Sequence, residues 1–549
     1  MKLLYVLVVL VVLGILAPRH GFGVPPIPAD SHPVRAFGAV GDGIAKDTAA
    51  IQKAIDACAE TGGGTVYFAP GHYLSGTIRL KDNVVLWLDA GATLLGSEEE
   101  ADYDPYEELG FRNDADRETS FFHYALIRGE DVEHIGILGS GVIDGNRSKR
   151  GGPKPIALKR CRFVEICGIR IINAPNYNIS MLGTDYVNIE GVTILNGYSD
   201  GIDPDSCRNV RIANCHIESV DDAIVLKTSF SLGERRSCEN ITVTNCYLAT
   251  VCNAFKCGTE SGGDFKRIAV SNCVMDKLPG GHRPARSGIS LLSVDGATID
   301  GVAISNVAMV DCRAPIFIRL GNRGRDMETP TPGAIRNVII SNVTASNASL
   351  PCSVAGIPGH DVEDVTLSDV RVVYSGGTVF RHVDEDVPEV IDAYPDARMF
   401  GGLPAYGLFC RHARGLVLNE FHLSFADEFW RITDPQGRAE NWDGPDGRPN
   451  PSERADAGYA MVLDDVKDVS INGFQARQSL EGKPVARFAN VRGALVRGCV
   501  AREGTGFFLE LAGADTRGIC LAANNLSEAE WPVTLVKEAP RSALVNAYP

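Results

Sequence analysis

The sequence lacks any excess of positive charge. Its 549 residues carry 53 Lys and Arg against 69 Asp and Glu, which gives a formal net charge of −16. Nucleic-acid binding needs a basic face, so this composition argues against a general nucleic-acid partner. An anionic substrate would have to be met by individually placed Lys or Arg side chains, because the field of the whole protein would repel it.

Long hydrophobic runs are absent beyond the N-terminus. Lys2 precedes an almost continuous apolar stretch at residues 3–16, so we predict that residues 1–23 form a secretory signal peptide. An uncleaved N-terminal anchor is the alternative, although about 14 apolar residues are short for a membrane span. We therefore expect a secreted or periplasmic protein with no other membrane contact.

Metal-ligand spacings are missing as well. The sequence has no C-x-x-C or H-x-x-x-H spacing, which disfavours a zinc site. Fifteen cysteines in an exported chain suggest disulfides. However, Cys215, Cys246 and Cys273 each follow an Asn at the same point of a repeated pattern, which favours buried thiols stacked in a core. One or two disulfides remain the alternative.

A short phrase recurs through the middle of the chain, and it indicates the fold. Successive copies end in an Asn, and these Asn are 18, 31, 27, 34 and 36 residues apart. Each copy alternates β-branched apolar residues with polar ones, as a half-buried strand does. Strands repeating at this period, with little helical periodicity between them, predict a right-handed parallel β-helix, an all-β solenoid. The copies are VTILN at 192–196, VRIAN at 210–214, ITVTN at 241–245, IAVSN at 268–272, VAISN at 302–306 and VIISN at 338–342.

The predicted Asn positions form a column at one turn of the solenoid, with side-chain amides pairing with the backbone and with each other. A short N-terminal helix at residues 47–60, with Asp47 as a candidate N-cap, is expected to cover the open end of the coils. We expect one β-helix domain at residues 33–549, with catalytic coils at about 130–350 and further coils at 351–549. Polar stretches at 98–119 and 425–457 are expected to be loop excursions.

Carboxylates concentrate at two points of the repeat. Asp200 and Asp221 are 21 residues apart, close to one short coil, which predicts matching places on adjacent coils. Asp222 follows directly. Grouped carboxylates repel, so that one pKa rises, and a pair of this kind is what glycoside hydrolysis requires. A solvated acidic turn and a calcium site are the alternatives.

At this point the sequence resembles glycoside hydrolase family 28, the polygalacturonase and rhamnogalacturonase group, in a divergent bacterial branch. The resemblance covers most of the chain. It rests on RAFGAVGDG at 35–43, DTAAIQ at 47–52, GGGTVYF at 62–68, GATL at 91–94, GVIDG at 141–145, KCGTES at 256–261 and APIFIRLG at 314–321. The family's Asn-Thr-Asp-Gly segment and Asp-Asp pair match Ser199-Asp200-Gly201 and Asp221-Asp222.

The resemblance implies an inverting hydrolase of pectic polysaccharide, galacturonan or rhamnogalacturonan, with exo action among the options and no cofactor or metal. It implies that Asp221 is the general acid and that Asp200 and Asp222 hold and activate the water. Inversion predicts carboxyl groups about 6.5–9.5 Å apart. Asp203, in the first motif, is expected to contact substrate or orient a neighbour.

Two departures from the family pattern stand out. The usual Gly-His-Gly falls near Cys252-Asn253-Ala254, and the usual Arg-x-Lys falls near Ser290-Leu291-Leu292, so both the His and the cations are replaced. We expect other side chains to bind the substrate in their place. The candidates are Lys227, Lys256, Glu260, Arg319 and Arg323, with His282 as a substitute for the missing His.

Two rival functions stay open. One is a calcium-dependent polysaccharide lyase on the same fold, and the other is a non-catalytic β-helix that binds glycan. The Asp arrangement favours the hydrolase, whereas the missing His and Arg-x-Lys favour the non-catalytic alternative. For the hydrolase we expect a monomer whose partner is a pectic polysaccharide or oligosaccharide.

Overall fold

The computed structural model describes residues 31–281, 283–377, 387–431, 458–478 and 483–545. The predicted signal peptide at 1–23 and the candidate His282 lie outside the described residues. Among those that are described, no helix is both long and apolar enough to cross a membrane.

Three parallel sheets run along the solenoid, and each coil adds one strand to each sheet, which confirms the predicted right-handed parallel β-helix. Apolar side chains from the three inner faces fill one continuous core. In the N-terminal half the strands are short and separate, and further on some of them run from one sheet into the next.

The first sheet comprises strands His32–Pro33, Gly64–Phe68, Val84–Leu88, Glu133–Gly139, Arg162–Cys167, Asp185–Glu190, Arg208–Ala213, Cys238–Thr244, Arg492–Arg497, Arg517–Ala522 and Leu544–Val545. The second comprises Asp42–Lys46, Gly71–Ser75, Ala92–Gly96, Val142–Asp144, Arg170–Ile172, Thr193–Gly197, His216–Ser219, Tyr247–Thr250 and Gln475–Ala476. Strands shared by these two sheets are Phe265–Asp276, Thr298–Val310, Ala334–Ala348, Val365–Gly377 and Val417–Arg431.

The third sheet comprises Ile78–Arg79, Ala125–Glu130, Lys154–Lys159, Ile179–Leu182, Ile202–Asp205, Ile224–Thr228, Asn253–Ser261, Ala285–Ser293, Cys312–Leu320, Cys352–Ala355, Ala405–Arg414, Ala486–Ala489, Phe507–Ala512 and Trp531–Leu535. Tyr459–Asn472 runs from the third sheet into the first, and the short strand Val362–Glu363 pairs with the end of Ala405–Arg414. Short 3₁₀ turns lie at Val34–Phe37, Glu100–Asp102 and Arg541–Ala543.

The predicted Asn column is confirmed. Asn306 donates its side-chain amide to Asn272 at 3.0 Å and accepts one from Asn342 at 2.6 Å. The backbone of these residues is left-handed, with φ of 56° at Asn306. Asn tolerates that conformation better than most residues because its short amide can hydrogen-bond locally. The repeated Asn therefore turns the chain from the first sheet into the second.

The stacked thiols are also found. All fifteen cysteines lie in the described ranges and are free, and thirteen are buried. The thiols of Cys215, Cys246 and Cys273 each donate to the carbonyl oxygen two residues earlier, at 3.2–3.3 Å. The alternative of one or two disulfides is therefore not supported.

The capping helix, α1 (Thr48–Glu60), buries Ile51, Ala54, Ile55 and Cys58 against the first coils, as predicted. Asp47 stands at its N-cap position but does not cap it with its side chain. Its carboxylate instead accepts the N–H groups of Val40 at 2.7 Å and Gly41 at 3.0 Å, because the preceding loop folds back over it.

The first predicted excursion, 98–119, is irregular apart from short turns and the start of helix α2 (Arg117–Ser120). The second prediction, a loop at 425–457, is wrong for its first part, because the strand Val417–Arg431 continues into it by pairing with Val365–Gly377. Residues 432–457 lie outside the described part of the chain.

Candidate active site

The carboxylate cluster lies where the chain passes from the second sheet into the third. Ile202 pairs with Ile224 on the next coil, so Asp222 is the structural equivalent of Asp200. The predicted match between Asp200 and Asp221 is therefore wrong by one residue. The reason is that the coil holds 22 residues at this point and not 21, as the Ile202 and Ile224 pairing shows.

A column of polar side chains crosses four coils at this turn. The Asp222 N–H donates to Asp200 Oδ1 at 3.1 Å. Asn253 donates from its backbone and its amide to Asp222 Oδ1, at 3.1 and 2.5 Å, and Ser287 donates to Asn253 Oδ1 at 2.6 Å. Asp200, Asp222 and Asn253 are thus each oriented by a donor from the coil that follows.

Two buried lysines neutralise the column. Lys227, on the strand Ile224–Thr228, donates to Asp200 at 2.8 Å and to Asp203 at 2.6 Å. Lys256, on the strand Asn253–Ser261, donates to Asp222 Oδ2 at 2.7 Å. All five side chains are at most 6% exposed, so these are desolvated ion pairs. The ring of Tyr177 lies 3.8 Å from the Lys227 ammonium, measured to its centroid.

Asp221 is the accessible member of the cluster, with 28% of its side chain exposed. Arg150 donates from Nη1 to Asp221 Oδ2 at 2.5 Å. The same guanidinium also donates to Glu118 of helix α2, with Nε 3.0 Å from Oε1. The excursion at 98–119 and the loop after the strand Val142–Asp144 therefore meet above the carboxylates.

The pKa values follow from these partners. Burial raises the pKa of Asp200 well above its usual range, although Lys227 opposes the shift. Burial acts in the same direction on Asp221, but the charge and hydrogen bond of Arg150 outweigh it and hold the pKa of Asp221 below its ordinary value. In the free protein Asp221 is therefore ionised at neutral pH.

The carboxylates are closer than an inverting pair was expected to be. A carboxylate oxygen of Asp221 lies within 4.8 Å of one of Asp222, compared with the expected 6.5–9.5 Å. The cause is local, because the two residues are consecutive in a tight turn and the Asp222 N–H donates to Asp221 Oδ1 at 3.1 Å.

The expected substrate-binding residues fall into two groups. Asp203, Lys227 and Lys256 lie in the cluster but are buried in its ion pairs, which gives them the task of fixing the carboxylates. Glu260 is paired with Arg325 at 2.9 Å, beside a separate small pocket that Thr228 and Asp295 also line.

The two arginines named as substrate-binding candidates are occupied elsewhere. Arg319 is 1% exposed, and its guanidinium donates to the carbonyl oxygens of Gly356 and Glu389 at 2.8 and 2.6 Å. It ties a loop to the coils, so the geometry argues against its expected role in substrate binding. Arg323 is bound to Asp295 at 2.9 Å.

Several residues of the site were not found by sequence reasoning. Arg150, Glu118, Tyr177 and Tyr394 surround the cluster, and Tyr394, near Lys256, is about half exposed. Basic residues after the GVIDG landmark were the available signal for Arg150, but its contact depends on two loops meeting. The thiol sulfur of Cys252, where the family His was expected, lies within 4.8 Å of carboxylate oxygens of Asp221 and Asp222.

Comparison with known proteins gives the family. Residues 109–385 match the family described as "Glycosyl hydrolases family 28", and residues 32–97 match "Rhamnogalacturonase A/epimerase, pectate lyase-like". The first match covers half of the chain. The chain belongs to glycosyl hydrolase family 28. The family is the one that the sequence motifs resemble.

Relatives are distant in sequence. A probable polygalacturonase of Vitis vinifera is 24% identical over 366 residues, 61% of this chain and 73% of that protein. A polygalacturonase of Ralstonia solanacearum is 26% identical over 48% of this chain and 60% of its own length. The chain thus spans between three fifths and three quarters of these relatives.

Solved structures agree on the fold. The exopolygalacturonase of Thermotoga maritima superposes with a TM-score of 0.55 at 23% identity, covering 64% of this chain and 88% of that one. The family 28 exopolygalacturonase of Yersinia enterocolitica also superposes with a TM-score of 0.55, at 20% identity, covering 80% of this chain and 78% of that one.

Proposed function

We propose that this protein is an inverting glycoside hydrolase of pectic polysaccharide in which Asp221 is the general acid and Asp200 and Asp222 hold the water. One observation carries the proposal. Three carboxylates meet at one turn, and Asp221 alone is accessible while the other two are fixed by buried lysines. An acid that reaches the sugar and a fixed pair that orients water are the two parts that this reaction needs.

The reaction would proceed in one displacement. Asp221 gives its proton to the glycosidic oxygen as the bond from that oxygen to the anomeric carbon breaks. Water attacks the anomeric carbon from the opposite face and loses a proton to Asp222, whose ion pair with Lys256 keeps it oriented. Asp200, whose pKa is raised by burial, holds the water through a hydrogen bond.

The fixed geometry of Asp222 disfavours a covalent intermediate. Its Oδ1 accepts two donors from Asn253, and its Oδ2 accepts Lys256. A nucleophilic carboxylate has to approach the anomeric carbon, and moving Asp222 would break all three hydrogen bonds in a buried place. Short carboxylate spacing is therefore compatible here with attack by water.

For the substrate we propose a galacturonan or rhamnogalacturonan chain. The family and the relatives named as polygalacturonases support this assignment. Around the cluster lie Arg150 and Arg286, each a little under half exposed, which are suited to a uronate carboxylate. Tyr394 offers an exposed ring beside them on which a sugar face can stack.

A calcium-dependent lyase is the weaker candidate. Calcium sites use carboxylates whose charge is left for the ion. Here each of the three carboxylates already accepts a charged donor from Lys227, Lys256 or Arg150.

We also propose export from the cytoplasm, a monomeric state and exo action.

Product analysis tests the proposal. The chain from residue 24 would be incubated with homogalacturonan and rhamnogalacturonan oligosaccharides, and products would be weighed by mass spectrometry. We expect saturated products. Asp221→Asn should form them at least about 100-fold more slowly, since removing a general acid typically lowers the rate by that much or more.

Glu218→Gln is the matched control, because Glu218 lies three residues from Asp221 and pairs with His216 outside the cluster. It should retain wild-type turnover. Products lighter by one water would assign a lyase, and binding without turnover would assign a non-catalytic glycan-binding β-helix.

A further inference from the structure

Arg150 holds the proposed general acid in the wrong state for catalysis. A general acid must carry a proton, but the ion pair with Arg150 keeps Asp221 ionised. Either Asp221 is not the acid, or the ion pair must open when substrate arrives. The surroundings of Arg150 favour the second explanation.

Among the cations of the cluster, Arg150 is the one that can exchange partners at low cost. Lys227 and Lys256 are almost completely buried, so separating them from their carboxylates would leave unpaired charges in the interior. Arg150 is 45% exposed, and a pair at such exposure is weakened by solvent. Its loop continues into Gly151 and Gly152, and a side chain at Gly151 would meet nothing within 4 Å.

The guanidinium is also held so that a small movement suffices. Glu118 accepts from Nε and Nη2, while Nη1 alone donates to Asp221. The fork geometry of arginine lets one edge stay on Glu118 while the free edge turns to another anion. A carboxylate arriving next to Asp221 would compete for that single N–H group.

We propose that Arg150 recognises the carboxylate of the substrate sugar and that its transfer from Asp221 to that carboxylate lets Asp221 take up the proton it then donates. This inference rests on the proposed function and deepens it. The acidic sugar becomes an activator of its own cleavage, so a neutral methyl ester at the same position binds without releasing Asp221. Selectivity for uronate thus arises at the acid itself.

Other charged or titratable groups also lie around Asp221 and Arg150. They are Asp200 and Asp222 of the column, Lys256, Cys252, Arg286, and, across Arg150, Asp116 and Glu118. Among the residues that the structure describes, only Arg150 is both charged and directly bonded to the Asp221 carboxylate from an exposed position.

The test compares Arg150→Gln with Lys149→Gln, a matched control that removes the same charge from the neighbouring exposed position of the loop. Both kcat and kcat/KM are measured against pH, on an oligogalacturonide and on its methyl ester. In the wild type the alkaline limb of kcat/KM, which reports free enzyme, should lie at lower pH than that of kcat. In Arg150→Gln the two alkaline limbs should coincide, because the kcat/KM limb, which reports the free enzyme, moves to higher pH.

Arg150→Gln should also lower the preference for the acid over the ester at least about 10-fold, since a charge-assisted hydrogen bond to the carboxylate is lost. Lys149→Gln should change neither quantity. Unchanged limbs and unchanged preference in a folded Arg150→Gln protein, checked by circular dichroism, would overturn the inference. If the wild type hydrolyses neither substrate, the proposed function itself fails, which is a different and separable outcome.

Discussion

Replacement of Lys227 by Met tests whether buried ion pairs hold the site together. Lys227 bonds to both Asp200 and Asp203, and all three side chains are at most 4% exposed. Removing one partner from such a buried pair leaves an uncompensated charge and typically costs about 3–5 kcal/mol. Met keeps an apolar side chain packed against Tyr177, so the decrease in the free energy of unfolding reports the removal of the positive charge.

The loss should depend on pH in a definite direction. Without Lys227 the pKa values of the two carboxyls rise further above those of the unfolded chain, because burial is no longer opposed. The folded variant then binds more protons than its unfolded form, and its stability falls as pH rises. We expect a destabilisation of about 3–5 kcal/mol at pH 8 and about 1–3 kcal/mol less at pH 5.

Urea unfolding followed by circular dichroism at the two pH values measures this difference. The double variant Lys227→Met with Asp203→Asn removes one carboxylate together with the cation and should recover about half of the loss. A loss below about 1 kcal/mol, or an equal loss at pH 5 and pH 8, would refute the reasoning, since a solvated or already protonated cluster would behave in that way.

Three further predictions concern the fold. Lys154 is fully buried beside Phe122 and burial lowers its pKa to about 7, so wild-type stability should gain about 2 kcal/mol relative to Lys154→Met between pH 7 and pH 9, as measured by urea unfolding. Asn306→Ala should lower the free energy of unfolding by about 1–2 kcal/mol, because it loses two ladder hydrogen bonds and a residue that tolerates the left-handed backbone. Asn306→Gly should lower this free energy by less, since glycine keeps the left-handed backbone without strain. Equal losses in the two variants would exclude a backbone contribution. Dithiothreitol should leave the melting temperature unchanged, and a drop of several degrees would reveal a disulfide.

The repeat made the fold predictable from sequence. Short strands ending in Asn carry their own turn chemistry, so both the sheet positions and the Asn column follow from the spacing. The extension of the strand Val417–Arg431 into a polar stretch was not predictable, because pairing with the neighbouring coil overrides local polarity.

The site was only partly predictable. Spacing and family resemblance brought Asp200, Asp221 and Asp222 together, but the one-residue register was decided by the pairing of Ile202 with Ile224. Arg319 looked available in the sequence, but a loop far along the chain accepts its hydrogen bonds. The contact of Arg150 with Asp221 spans 71 residues, and no local pattern could indicate it.

The configuration of the fresh product tests the central claim most directly. In the proposed reaction the nucleophile is a water held by Asp200 and Asp222, so we expect inversion in spite of the short Asp221 to Asp222 separation. The measurement is the anomeric proton signal of the first product of an oligogalacturonide, recorded by NMR before mutarotation. A product of inverted configuration is the predicted result, and one of retained configuration would contradict the account, since it would require a carboxylate to have attacked the sugar.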